Sequence, residues 1–204
     1  MSIIFIRHGE TPLNVARTLQ PADTPLSVNG LAQAHSVAAR LAALGIARIV
    51  SSDLPRALQT TEVIAAATGA AIETTALLQE RNFGDLRGRL YDELGFDPLA
   101  MEGAPPGGES VQAFHARVAL AFAHALRLRA GLSGPLAVVT HGLVIRAIIE
   151  RHLALAPGQA VPAQVRNTSL TIVAVQPPHA AELIDCTNHL GPTLGHDGRS
   201  LSGG

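Results

Sequence analysis

Two histidines in this chain each follow an apolar run directly: His8 ends IIFIRH and His141 ends LAVVTH. If both runs are strands of one parallel sheet, both imidazoles emerge at its carboxyl edge, where open α/β sheets bind ligands. Arg7 precedes His8, and Arg56 falls in the first turn of the helix expected after a second strand. A cation there faces the positive end of the helix macrodipole, so a negative group should compensate it. The helix opening at Gly142 turns its free backbone donors toward the same edge. Two guanidiniums, two imidazoles and a helix terminus fit a phosphoryl group, whose oxygens planar guanidiniums clamp in pairs. A histidine that attacks phosphorus must be neutral, with one ring nitrogen free and the other held by a hydrogen bond, and adjacent arginines favour that neutral form. Gly9 is read as leaving room for the backbone to approach the phosphate. Each piece alone has a plainer reading, His141 as a helix cap and Arg56 as a partner of Glu62. Their order in the chain and their shared edge carry the argument.

The elements that must position these residues follow from periodicity and caps. Residues 3–6 are wholly apolar, as in a strand buried on both faces. Ser27 caps a helix with Leu31, Ala34, Ala38 and Leu41 along one side, ended by Gly45. A strand is expected at 47–51, then a helix with Asp53 as N-cap, Pro55 in the first turn and Gly69 at its end. Residues 71–75 read as a short strand, and 79–108 as a loop-rich stretch. Ser110 opens a long helix reaching Gly131, with Val111, Phe114, Val118, Ala121 and Ala125 along one face. A strand at 136–140, a helix from Gly142 to about Leu153 and a last strand at 169–175 complete the order. Alternating strands and helices predict an α/β fold, a three-layer α/β/α sandwich with a mostly parallel central sheet, as one domain over 1–204 with a flexible tail from about 190.

Read together, RHGETPLN, DTPLSVNGLAQA, SSDLPRALQTTE, QERNFGDLRGRLYDEL, PPGGES and VVTHGLVIRA resemble the ordered motifs of the histidine phosphatase superfamily, the phosphoglycerate mutase-like family, over residues 3 to about 175. The resemblance implies the phosphoglycerate mutase-like fold and no metal or organic cofactor. It implies that His8 is phosphorylated during turnover, that Arg7, Asn14, Arg56 and His141, with Gly142, form the phosphate pocket, and that Glu80 is the general acid. From spacing alone Glu73, Asp85 and Asp92 compete with Glu80, and only the Glu-x-x-x-Gly-x-x-x-Gly pattern favours it.

That family holds mutases and phosphatases. A mutase must shield its phosphorylated intermediate from water, which calls for a long, basic, enclosing insertion. Between Glu80 and Gly108 the basic residues are only Arg81, Arg87 and Arg89, so the chain resembles the shorter phosphatase branch, in particular the α-ribazole-phosphate and broad-specificity phosphatases. It departs from their usual pattern with Leu86, Arg87 and Gly88 where Trp-Glu-Gly is common, and with Pro21 where a glycine usually follows the glutamine. Both departures bear on the substrate. The expectation is a cofactor-independent phosphomonoesterase acting on a small sugar or sugar-acid phosphate through a phosphohistidine. The alternatives are a phosphoglycerate mutase and a non-catalytic phospho-ligand binding module.

Composition bounds the rest. The 204 residues are 47% hydrophobic and carry 15 basic against 16 acidic side chains, so no global field argues for nucleic acid or an anionic membrane surface. The partner expected is a small phosphorylated metabolite or phosphate. No charged leader and no uncharged run of about 18 residues supports export or membrane spanning. Cys186, the single cysteine, reads as a packing residue, and a cytoplasmic setting is the default. His115 and His124 are not at adjacent turns of one helix face, and His189 with His196 suggest metal binding only faintly. A homodimer is compatible with the sequence, which does not decide it.

Overall fold

The computed structural model describes residues 2–191, 194 and 195. Its six-stranded sheet contains β1 (Ser2–Arg7), β2 (Arg48–Ser51), β3 (Ala71–Thr74), β4 (Leu136–Thr140), β5 (Leu170–Ala174) and β6 (Ala181–Cys186), in the order β3-β2-β4-β1-β5-β6. The pairs β3-β2, β2-β4 and β4-β1 are parallel, and β1-β5 and β5-β6 antiparallel. The helices are α1 (Pro12–Val15), α2 (Val28–Ala42), α3 (Pro55–Thr68), α4 (Val111–Ala130) and α5 (Gly142–His152).

Strand alternation explains the three layers. Ile3 and Phe5 point to one face with Val50, Leu136 and Val138, where α4 and α5 supply Val118, Phe122, Val144 and Ile148. Ile4 and Ile6 point to the other with Ile49, Ala137 and Val139, covered by Val37 and Leu41 of α2 and Ala57 and Ile64 of α3. A strand with apolar residues at every position must be covered on both sides, so β1 and β4 take the centre and the helices divide between the faces. Among the described residues no helix is long and apolar enough to cross a membrane.

Several expectations are corrected. Asp53 does not cap α3: the N-cap is Leu54, without a side-chain bond, and Asp53 Oδ1 instead accepts the side-chain amide of Gln79 at 2.7 Å. The strand at 170–174 is not the last. β6 follows as an antiparallel edge, and its Glu182 and Asp185 hide it from an apolar-run criterion. The single turn α1 was also unforeseen: Thr11 and Asn14 form a reciprocal capping box around Pro12. The flexible tail expected from about 190, with His196, falls mostly outside the described residues. Before it, His189 Nδ1 lies 3.3 Å from Arg40 Nη1 and its Nε2 3.2 Å from Thr168 Oγ1, so this histidine packs back on the fold. Cys186 is buried, and Arg40 Nη1 donates to its Sγ at 3.3 Å.

Residues 76–108 form three short 3₁₀ turns held by two arginines. Arg117 of α4 donates to the carbonyls of Leu77 at 3.0 Å and Gln79 at 2.7 Å, and pairs with Glu109 at 2.7 Å. Arg81 donates to the carbonyls of Met101 at 2.6 Å and Glu109 at 3.2 Å. Gly84 sits at φ +51°, where a Cβ would meet the Pro106 carbonyl oxygen at 2.0 Å. This position of the Glu-x-x-x-Gly pattern therefore requires glycine for the crossing of two loop segments.

Candidate active site

β1 and β4 run parallel in register, Arg7 opposite Thr140, so the residues following them leave the same edge. The ladder continues one step beyond the strands, His8 N–H donating to the Thr140 carbonyl at 3.0 Å. His8 and His141 are thereby brought together, ring centroids 5.1 Å apart. His8 is 1% exposed, and its Nδ1 lies 2.7 Å from the Gly9 carbonyl oxygen. A carbonyl can only accept, so Nδ1 carries the hydrogen and Nε2 keeps its lone pair. Burial, followed by the fields of Arg7 and Arg56, holds the imidazole well below its ordinary pKa of 6.5. The ring is neutral at physiological pH.

Arg7 and Arg56 are both buried. Arg7 is anchored through Nη1 to the Val165 carbonyl at 2.7 Å, and Arg56 through Nη1 to the Pro21 carbonyl at 3.4 Å. Burial lowers each to about 10, opposed by the negative field of Glu80, so both remain cations at neutral pH. Arg56 Nε is buried without a hydrogen-bond partner among the described residues. So is the side-chain amide nitrogen of Gln20, whose Oε1 is held by Thr11 Oγ1 at 2.9 Å. Buried donors that the protein does not satisfy cost stability and suit an oxygen-rich anion. Two fixed positive charges beside two neutral imidazoles match a phosphate dianion.

His141, the N-cap residue of α5, carries no cap bond of its own. Its Nε2 lies 2.9 Å from Ser52 Oγ, while the Leu54 N–H donates to the same hydroxyl at 3.3 Å. When Ser52 gives its proton to Nε2, the hydrogen of His141 sits on Nδ1. That Nδ1 is buried without a partner among the described residues. Burial and then Arg56 hold the pKa of His141 well below 6.5, so the ring offers one N–H and no charge.

Glu80 is buried, and its carboxylate accepts the backbone N–H of Arg81 on Oε1 at 3.0 Å and that of Leu143 on Oε2 at 3.1 Å. The negative group expected at the N-terminus of α5 is thus in part the protein's own Glu80, just after Gly142. Burial raises its pKa above 4.5, outweighing the two N–H donors and the fields of Arg56 and Arg7. Of the competing acids, Glu73 meets His124 at 3.0 Å and Asp92 pairs with Arg17 at 3.1 Å, both away from the histidines.

Asn14 is buried in α1, and its Oδ1 accepts from Thr11 N–H at 3.0 Å and from Asn167 Nδ2 at 3.4 Å. Asn167 also donates to the His8 carbonyl at 3.0 Å, tying Asn14 to the His8 segment. Gly9 also approaches α2 closely: a Cβ there would meet the Gly30 carbonyl oxygen at 2.4 Å, and its N–H donates to Thr60 Oγ1 at 3.0 Å. Sequence reasoning missed Ser52, Gln20, Asn167 and Arg117. Only Ser52 left a signal, being a hydroxyl directly after a strand on the same edge as His8. A surface groove of about 1050 Å³, lined by Glu102, His115, Glu150 and His152, contains none of these residues. A smaller cavity of about 110 Å³ is lined by Arg17, Tyr91, Leu143 and Arg146.

This constellation, on this sheet, defines a phosphate-handling enzyme class, and the chain belongs to the histidine phosphatase superfamily (branch 1), whose sequence profile matches residues 3–183. Among its relatives, the probable phosphoglycerate mutase GpmB of Klebsiella pneumoniae is 36% identical over 186 residues, 86% of each chain. YhfR of Bacillus stearothermophilus is similar in structure, with a TM-score of 0.79 at 27% identity, covering 92% of this chain and 98% of that one. A mycobacterial glucosyl-3-phosphoglycerate phosphatase, solved with inorganic phosphate, gives 0.75 at 25% identity over 93% and 99%.

Proposed function

We propose that the protein is a cofactor-independent phosphomonoesterase that hydrolyses a small phosphate ester through a phosphohistidine on His8. The observation that carries this reading is the His8 ring itself: neutral, Nδ1 fixed on the Gly9 carbonyl, Nε2 unprotonated, beside His141 and two buried guanidiniums. In the first step the Nε2 lone pair forms a bond to phosphorus while the ester P–O bond breaks and its electrons leave on the alkoxide. Arg7, Arg56 and the His141 N–H hold the three equatorial oxygens, with Asn14 and the α5 terminus at Gly142 completing the pocket. Glu80, whose pKa burial raises, gives its proton to the alkoxide from its protonated form. In the second step the Glu80 carboxylate takes a proton from water, the hydroxide oxygen attacks phosphorus, and the P–N electrons return to Nε2. Inorganic phosphate leaves and Glu80 is protonated again.

Purified protein should release phosphate from 4-nitrophenyl phosphate and from a panel of sugar and sugar-acid phosphates, and should acquire an acid-labile label. Both should vanish in His8→Ala. Turnover that persists in that variant sinks the mechanism.

The relatives named probable phosphoglycerate mutase, at 36% identity, favour one second reading, phosphoryl exchange between 2- and 3-phosphoglycerate. The short, weakly basic stretch from Glu80 to Gly108 weighs against it. Bisphosphate-stimulated exchange faster than hydrolysis would establish it. Tight binding of phosphorylated ligands with no turnover would instead favour a binding module.

A further inference from the structure

Most arginines of this protein have a protein partner: Asp92 for Arg17, Glu73 for Arg48, Glu109 for Arg117, Asp185 for Arg166, and main-chain carbonyls for Arg81, Arg129 and Arg146. Among the described residues, Arg87 has no side-chain hydrogen bond, ion pair or ring contact, and it is half-buried, whereas Arg89, Arg127 and Arg151, also without side-chain partners, are exposed. Burial lowers its pKa, and no group among the described residues compensates the loss of water around this guanidinium.

Its placement is fixed by main-chain bonds. Arg87 ends the 3₁₀ turn Gly84–Leu86, its N–H donating to the Gly84 carbonyl at 3.1 Å. The next residues clamp Leu19, with Gly88 N–H on the Leu19 carbonyl at 2.6 Å and Leu19 N–H on the Arg89 carbonyl at 3.0 Å. Leu19 lies two positions before Pro21, whose carbonyl anchors Arg56. Arg87 therefore sits next to residues paired with the segment that carries the Arg56 anchor and the unsatisfied Gln20 amide. Its charge reaches Arg56 and depresses that guanidinium further. Two like charges so placed call for a second anion in addition to the phosphoryl group held by Arg7 and Arg56.

We propose that Arg87 is a specificity-determining residue that binds a second negative group of the substrate, a carboxylate or a second phosphate. The preferred esters are then acids or bisphosphates, and neutral sugar monophosphates are poor substrates. This rests on the phosphatase reading above and narrows its substrate class.

The test compares matched pairs: 3-phosphoglycerate against glycerol 3-phosphate for a carboxylate, and fructose 1,6-bisphosphate against fructose 6-phosphate for a second phosphate. The wild type should prefer the anionic member of at least one pair, through KM. The pair that shows the preference identifies the group. Arg87→Gln should lower that preference about tenfold or more, Arg87→Lys should restore part of it, and Arg87→Glu should reverse it. Calorimetric binding of the same pairs reads the same ratio without turnover. A preference unchanged within twofold in Arg87→Gln, or a wild type indifferent to the second charge, overturns the proposal. Failure to hydrolyse 4-nitrophenyl phosphate sinks the phosphatase reading alone, because the binding ratios still decide the role of Arg87.

Discussion

Ser52 Oγ and His141 Nε2 lie 2.9 Å apart at the ends of neighbouring parallel strands, and this contact holds the imidazole in its orientation. Ser52 is a positioning residue: it acts on the reacting group through the imidazole. Ser52→Ala should lower kcat roughly 10- to 100-fold with little change in KM, the range typical of lost supporting hydrogen bonds. Ser52→Thr keeps the hydroxyl and should recover most of the rate. Steady-state kinetics with 4-nitrophenyl phosphate checks this, and a Ser52→Ala enzyme of normal kcat would remove Ser52 from this role.

The pH dependence follows from two opposite shifts. His8 must be neutral to attack, and its pKa is depressed by burial, Arg7 and Arg56, so the acid limb of kcat/KM lies below pH 6.5. Glu80 must be protonated to assist departure, and its pKa is raised by burial, so the alkaline limb lies above pH 4.5. kcat/KM should rise with pH through the first limb and fall through the second. A pH–rate profile in which Glu80→Gln retains the alkaline limb would assign that limb to another group.

Glu80→Gln keeps an oxygen for the Leu143 N–H but has no proton to give. For alkyl phosphates, whose alkoxide must be protonated as it leaves, kcat should fall about 10²- to 10⁴-fold. Nitrophenolate leaves without help, so with 4-nitrophenyl phosphate the phosphorylation burst should persist while hydrolysis of the phosphoenzyme slows. Rapid-quench measurement separates the two steps, and equal losses in the burst for both leaving groups would remove Glu80 from the role of acid.

Stability should report the same burial. The folded pKa values of His8 and His141 are depressed, so below the unfolded value near 6.5 the unfolded chain takes up protons that the folded chain refuses. Their stabilisation is full above about pH 6.5 and is lost as pH falls toward the folded values, by up to about 1.4 kcal/mol per pH unit for each ring. Denaturant midpoints measured from pH 7.5 to 5 should decline, and the decline should be shallower in His141→Asn. A slope identical to wild type in that variant would argue that His141 titrates normally.

Much of this site is legible in the sequence because its parts are local. An all-apolar run that stops at Arg-His-Gly fixes where a buried strand ends and what it presents, and Pro55 followed by Arg56 sets a cation in a first helical turn whatever surrounds it. These features placed His8, Arg7, Arg56 and His141 on one edge of a mostly parallel sheet, and a recurring motif singled out Glu80. Asp53 was misjudged as a cap because a rival partner for its carboxylate, Gln79, is distant in sequence, and the contact of Gly9 with Gly30 was hidden for the same reason.

Tertiary structure alone decided the partner of the His141 imidazole, the burial that raises Glu80, the Arg117 staples that hold its loop, and the isolation of Arg87. Each depends on which carbonyl, hydroxyl or cation another segment brings within about 3 Å, and on how much water is excluded there. Residue types specify what a group can donate or accept. Only packing determines whether anything is there to receive it.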